Sequence, residues 1–396
     1  MKKRKTCLKS VNSTSRLLIA NKTPELPDNV LHVIVRKLRS LVCHSAFRSI
    51  YRVWRLFSLR YYSHLVPPQP PWLMFPASVD PPSRIYNLYT YDGGRQFFQF
   101  ELPREYEFCC CSGTWLIFFD GKENKIRVWN PLSSVHILLP LILVPWCKII
   151  ASCRGPLIKD DMVFAAFYPD KLAFIRLGDE AWTHVEIDFL QVPRPSTPQI
   201  LQINDIVFYR GKLYAVDQSG MIFVCEEDVH APSYYDYHYR CPAKAIRLID
   251  YIHEVGNLKE EVDHDSHHFL VEVKGDLMLI LKYSNSNNPS TYHYASFKLD
   301  FSKRKLQEVG FHNYSLFLSS CDASMSTIIP NMSCIYIKSL SQVPSDDDRF
   351  DCVFEVIGSP DADCFIANQP SSTLFKVNNW NRDDPRPAWI IPRHAN

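Results

Sequence analysis

Three groups of side chains in this 396-residue sequence have the types and spacing that do chemistry elsewhere. His264, His267 and His268 lie beside Asp263 and Asp265, and imidazoles next to carboxylates form a set that can hold a divalent cation. The segment is short, acidic and polar, so its composition predicts a solvated loop and not a metal centre. Cys109, Cys110 and Cys111 are consecutive. On a strand they alternate between faces, which predicts buried thiols, since a reactive thiol needs a depressed pKa. Asp346, Asp347 and Asp348 are a run of carboxylates that reads as a surface loop. The sequence has no Gly-x-Ser-x-Gly elbow, no phosphate-binding glycine loop, no His-Glu-x-x-His and no Cys-x-x-Cys pair. These observations predict a binding protein and not an enzyme, with no cofactor and no metal.

The elements that would position such groups are bounded by composition. Hydrophobic residues make up 46% and charged residues 22%, which is enough apolar material for a packed core. Gly is scarce at 12, while Pro (28), Tyr (20) and Phe (24) are plentiful, a balance that suits short strands joined by proline-containing turns. Charge is unevenly spread. Residues 1–60 hold 14 Lys and Arg against Glu25 and Asp28, a balance of +12; with 44 basic and 42 acidic residues in all, the remainder holds 30 and 40, or −10. A basic arm on an acidic body suits a nuclear import signal, an acidic protein partner or nucleic acid. The 13 cysteines are odd in number and unevenly spaced, unlike a secreted disulfide framework, so a reducing compartment is expected: cytoplasm, nucleus or both. Leu17 to Ala20 is too short for a signal-peptide core. The most apolar run, Val135 to Ile150, contains Pro140, Pro145 and Lys148 and reads as strand, turn, strand, so no membrane association is expected.

Three regions follow along the chain. Residues 1–23 are polar, basic and without periodicity, and are expected to be a disordered tail; Lys2 to Lys5 fits a nuclear localisation patch. Residues 24–66 are expected to be helical. Pro27 or Asp28 suits a helix start, and Val30, Leu31, Ile34, Val35 and Leu38 recur at helical spacing. Leu41 to Phe47 and Ile50 to Leu59 continue the pattern, with Trp54 read as a core anchor. Three short helices cannot bury enough surface alone and need a partner, either the rest of the chain or another protein.

From the proline stretch Pro67 to Pro71 onward, residues 67–396, short β-rich segments follow one another. They are Trp115–Phe119, Lys125–Trp129, Met162–Phe167, Leu172–Leu177, Ile206–Tyr209, Leu213–Val216, Met221–Cys225, Leu277–Leu281, Cys334–Ile337 and Val353–Ile357. Four of them share a lead, a Gly or Asp turn and an apolar strand, with turns at Gly113, Asp170, Gly211 and Gly275. Spacing of this order predicts an irregular β-propeller preceded by a small three-helix module; it does not fix the blade number.

The segment Leu26 to Leu38 resembles the opening helix of an F-box, and Phe47 to Arg55 resembles its closing motif, with Tyr51 where the usual form has Cys. The rest is similar to plant F-box proteins with a C-terminal KIB-type propeller. The matching pieces include Pro70 to Met74, Val128 to Leu132, Ala173 to Asp179 with Trp182, Asp205 to Val216, Leu316 to Leu318, and Pro387 to Pro392. The resemblance implies an F-box-like module that docks on a Skp-type adaptor of an SCF (Skp, cullin, F-box) ubiquitin ligase through Leu26, Pro27, Leu31, Ile34 and Leu38. It implies that the propeller binds a protein substrate whose identity the residues do not give. A second reading makes the helices a non-functional cap on a propeller that binds a ligand or carbohydrate, or acts as an enzyme. A nucleic-acid role rests on the basic arm alone and ranks third.

Overall fold

The computed structural model describes residues 26–38, scattered helical positions between 47 and 57, and the strands and tight turns between 72 and 390; the longer connections and both ends lie outside the described residues. Among the described residues there are 25 strands and one continuous helix, α1 (Asp28–Lys37), and no helix is long and apolar enough to cross a membrane. The architecture is mainly β, as composition and strand spacing predict. Of the expected second and third helices, only separate positions in helical conformation fall within the described residues.

The strands group in fours along the chain. The first group is β1 (Trp72–Pro76), β2 (Ile85–Tyr89) and β3 (Gln96–Glu101). The second is β4 (Tyr106–Ser112), β5 (Trp115–Asp120), β6 (Lys125–Asn130) and β7 (Val135–Pro140). The third is β8 (Lys148–Ala151), β9 (Val163–Tyr168), β10 (Lys171–Arg176) and β11 (Thr183–Ile187). The fourth is β12 (Ile203–Tyr209), β13 (Lys212–Asp217), β14 (Ile222–Cys225) and β15 (Ala243–Ile249). The fifth is β16 (His267–Val273), β17 (Asp276–Asn285), β18 (Asn288–Asp300) and β19 (Lys305–Glu308). The sixth has five strands: β20 (Ser315–Ser319), β21 (Met325–Thr327), β22 (Ile335–Gln342), β23 (Arg349–Ile357) and β24 (Ser372–Asn381). The last strand, β25 (Ala388–Ile390), returns to pair antiparallel with β1 and completes the first blade from the far end of the chain. Among the described residues the strands make six blades of a propeller.

Why these segments are nearly continuous in apolar residues follows from the radial packing. Each blade is covered on both faces by its neighbours, so both sets of alternating side chains are buried. On β9, Val163, Ala165 and Phe167 join β12 and β13 in one core, while Phe164, Ala166 and Tyr168 join β5 and β6 in another. On β17, Leu277, Leu279 and Leu281 pack toward the fourth blade, and Met278 and Ile280 toward β20. The core is thus a set of layers between blades.

Two irregularities separate this ring from a regular repeat. The outermost strands of the third and fourth blades, β11 and β15, pair in parallel and fuse the two blades into one eight-stranded sheet. The sixth blade begins with a β20–β21 hairpin, so β20 meets β22 in parallel. The repeat of four turns is also partly corrected. Gly113, Gly211 and Gly275 occupy the same place, between the first and second strands of the second, fourth and fifth blades. Asp170 lies between the second and third strands of the third blade, one hairpin out of phase.

Candidate partner-binding surface

The helical segment is built from local rules. Pro27 precedes α1, its carbonyl accepting from the N–H of Val30 and Leu31, and it suits a start where backbone donors are spare. Asp28 in the first turn and Arg36 and Lys37 in the last complement the helix dipole. Leu31 and Val35 are fully buried, together with Phe47 and Phe57. Leu26, Ile34, Leu38 and Trp54 pack around this small core. Phe47 stacks on Trp54 with ring centroids 4.8 Å apart, and His32 meets Phe57 edge-on at 4.9 Å.

The five residues that the F-box resemblance assigns to adaptor contact therefore have unequal positions. Leu31 is inside the module's own core, Leu26, Ile34 and Leu38 are half-buried at its edge, and Pro27 is exposed. Other residues carry the open apolar surface: Val30 at 38%, Val33 at 55%, Ile50 at 56%, Val53 at 54% and Leu56 at 55% exposure. The signal for this was the width of the apolar arc. Val30, Leu31, Val33, Ile34 and Val35 are five apolar residues in six, too many for one stripe, so one face fills the core and another is left outside.

At the centre of the ring, charge converges. Lys148 on β8 and Asp205 on β12 are both fully buried, with Nζ 2.6 Å from Oδ1. Lys148 also donates to the Ser319 carbonyl at 3.1 Å. Asp205 accepts from the N–H of Ile206 through Oδ1 and of Leu270 on β16 through Oδ2, at 2.7 and 2.9 Å. Burial pushes the Asp205 carboxyl up in pKa, and the Lys148 ammonium and the two N–H donors only partly oppose it. The tip of the β20–β21 hairpin lies alongside: Asp322, buried, accepts from the Cys111 N–H at 2.8 Å, and the Ala323 N–H donates to the Cys111 carbonyl. Ser319 Oγ receives the N–H of Asp322 at 3.0 Å. One network thus ties the second to the sixth blades together. Titratable groups do converge there, as an enzyme would need, but they are paired with one another and closed to solvent.

The remaining sequence candidates separate. His267 is exposed while His268 is buried, its imidazole kept neutral because burial, with His267 beside it, pushes its pKa down to about 3. His264, Asp263, Asp265 and the Asp346–Asp348 run lie outside the described residues. Among the described residues, no cluster of three metal-ligating side chains occurs. Cys110 and Cys111 are both buried and Cys109 is half-buried. The alternation fails because of a register shift between Phe108 and Cys110 and because both faces of β4 are covered. Burial raises the Cys110 thiol well above its ordinary value, which makes it a poor nucleophile.

Fold and surface together define a β-propeller whose inner strands share a buried polar network, preceded in sequence by a small helical segment that leaves apolar side chains in the open. A model of the KIB1-4 beta-propeller family matches residues 85–363, and the chain belongs to that family. A curated relative, F-box protein At4g00893 of Arabidopsis thaliana, is 25% identical over 245 residues; the match covers 59% of this chain and 56% of that protein's length. Solved propellers are similar in outline only. KlHsv2 with loop 6CD replaced by a Gly-Ser linker gives a TM-score of 0.35 at 10% identity, covering 62% of this chain and 83% of the other. The WD40 repeats of RRP9 give 0.32 at 9%, covering 68% and 66%.

Proposed function

We propose that this chain is a substrate-recognition subunit of an SCF-type ubiquitin ligase, holding a Skp-type adaptor with its helical segment and a target protein with its propeller. The observation that carries the proposal is the apolar surface at Val30, Val33, Ile50, Val53 and Leu56, left open by a module whose own core is already filled. The name of the Arabidopsis thaliana relative, an F-box protein, supports the same reading. Fully covering a large apolar side chain is worth about 1.5–3 kcal/mol, and these residues are roughly half exposed, so each would contribute about 1 kcal/mol. The basic residues around them, Arg36 and Lys37 among them, suit an acidic adaptor and would speed encounter. On this proposal the chain performs no chemistry itself, and its compartment, cytoplasm or nucleus, is that of its target.

The test is calorimetry of the full-length chain with a plant Skp-type adaptor. The parent should bind with a Kd in the micromolar range or tighter, and Val33→Asp with Val53→Asp should weaken it by about tenfold or more. Leu31→Asp is the folding control, since it strikes the module's core. Absence of adaptor affinity in the parent at micromolar concentration would end this reading.

A further inference from the structure

The outer strand of a propeller blade exposes a row of backbone N–H and C=O groups, which pair with any extended chain unless something blunts the edge. Most of the edges here are blunted. The strands β11 and β15 cover each other by pairing in parallel. Of the rest, β3 contains Glu101, β19 contains Lys305 and Glu308, and β24 contains Lys376. The outer strand of the second blade, β7, runs Val135, His136, Ile137, Leu138, Leu139, Pro140 and contains no Asp, Glu, Lys or Arg. Among the described residues it pairs with β6 on one side and with no strand on the other.

The side chains of β7 divide between two faces. Ile137 and Leu139 are buried against the third blade. His136 and Leu138 lie on the other face and are exposed. At 46% exposure, Leu138 is the large apolar side chain that the propeller leaves in the open; the other five among the described residues belong to the helical segment. Beside it, Trp129 of β6 is half-buried, stacks on His136 with centroids 5.8 Å apart and meets Phe100 of β3 edge-on at 5.2 Å. Pro140 closes the strand: it has no N–H, and its carbonyl accepts from Trp182 Nε1 at 2.9 Å. The open edge is therefore Val135 to Leu139, with an apolar shelf of Leu138 and Trp129 along it.

We infer that β7 is a strand-addition site for an extended, uncharged segment of a partner protein that carries apolar side chains at alternate positions. The inference rests on the proposed reading of the propeller as the part that holds a target protein. Main-chain hydrogen bonds to β7 supply affinity, and an apolar side chain opposite Leu138 supplies selectivity. Charge on the segment would gain nothing, since β7 has none and Arg127, opposite Leu138 on β6, is already paired with Asp120 at 2.9 Å. A second copy of this chain fits less well. Two such strands, each about 20 Å long and about 10 Å deep, would cover roughly 400 Å² in all, far below the about 1,200 Å² that a stable dimer buries.

The test uses the full-length chain, without adaptor, and fluorescence anisotropy of a labelled peptide of about ten residues in which Val and Thr alternate. The peptide should bind with a Kd of about 100 μM or tighter, and amide hydrogen exchange should slow at residues 135–139. Leu138→Lys puts a charge on the edge at an exposed position, so it should leave the thermal midpoint unchanged and weaken binding about tenfold. The same peptide N-methylated at every residue keeps its side chains, loses its backbone donors and should not bind. Val33→Asp, in the helical segment, should leave peptide affinity unchanged. Absence of binding, equal binding by Leu138→Lys, equal binding of the methylated peptide or a loss in Val33→Asp would each overturn the inference. So would a dimer in sedimentation that Leu138→Lys dissociates, which would give the edge to a second copy. Adaptor affinity is measured on the same samples: peptide capture without it keeps this inference and ends the ligase reading, and the reverse result ends this inference alone.

Discussion

Replacing Lys148 by Met tests whether the axial ion pair is a keystone of the ring. The substitution removes the ammonium that sits 2.6 Å from Asp205 and 3.1 Å from the Ser319 carbonyl, and leaves a buried carboxylate with two backbone donors. Breaking one side of a fully buried pair costs about 3–5 kcal/mol. Asp205→Asn should cost a similar amount, because it strands the ammonium and turns an amide NH₂ toward one of two backbone N–H groups. The double variant removes both charges and keeps only that misfit, about 1–3 kcal/mol. Two single losses totalling about 6–10 kcal/mol against so small a double loss leave a coupling of several kcal/mol, far beyond the few tenths expected of independent sites. Urea unfolding followed by the fluorescence of buried tryptophan measures all three. The pH dependence supplies a second check. Asp205 has a folded pKa above its ordinary 3.8, and loss of Lys148 raises it further. A raised carboxyl contributes stability below the unfolded pKa and loses it as pH rises through the folded one, so the deficit of Lys148→Met should shrink on acidification. Single costs under about 1 kcal/mol, or additive costs in the double variant, would refute the argument, since they would mean that the pair is hydrated.

His268 gives the opposite sign: its folded pKa of about 3 lies below the ordinary 6.5, so its contribution is present above 6.5 and lost as pH falls toward 3. Between pH 6.5 and 5 the parent should lose about 2 kcal/mol relative to His268→Gln, read from unfolding curves at each pH. Truncation before Ala388 removes β25, the strand that pairs with Trp72 to Met74, and should turn one cooperative transition into two in calorimetry. Tyr209→Phe deletes the hydrogen bond to the Gly275 carbonyl and should cost about 0.5–1.5 kcal/mol in urea unfolding, without changing the slope against urea.

Strands buried on both faces were legible because their composition is unambiguous. Trp115–Phe119, Leu172–Ile175 and Leu213–Val216 are continuous apolar runs, and they appear within β5, β10 and β13. Strands such as β18, Asn288–Asp300, carry Asn, Ser, His and Lys and gave no such signal; pairing with β17 decides their conformation. The blade number was illegible for a related reason: the third-blade repeat at Asp170 copies the local pattern of the first hairpins but occupies the second. At the helical segment, periodicity found Leu31 and Val35 but not which face a partner would meet. Spacing reports that residues share a face, and only packing by Phe47 and Phe57 says which face the module fills itself.

The axial network was invisible in sequence for a deeper reason. Lys148, Asp205 and Asp322 lie far apart in the chain, and although Asp205 opens one of the pieces that resemble the family, nothing in the sequence pairs it with the other two. Their meeting limits where this protein can recognise anything. A ligand site needs groups that a ligand can reach, and here the converging charges are spent on one another while the β20–β21 tip is hydrogen-bonded to Cys111. Binding energy at the axis is therefore already committed to holding blades together. What the described residues leave open is peripheral: the apolar side chains of Val33, Ile50, Val53 and Leu56, with Leu138 on β7.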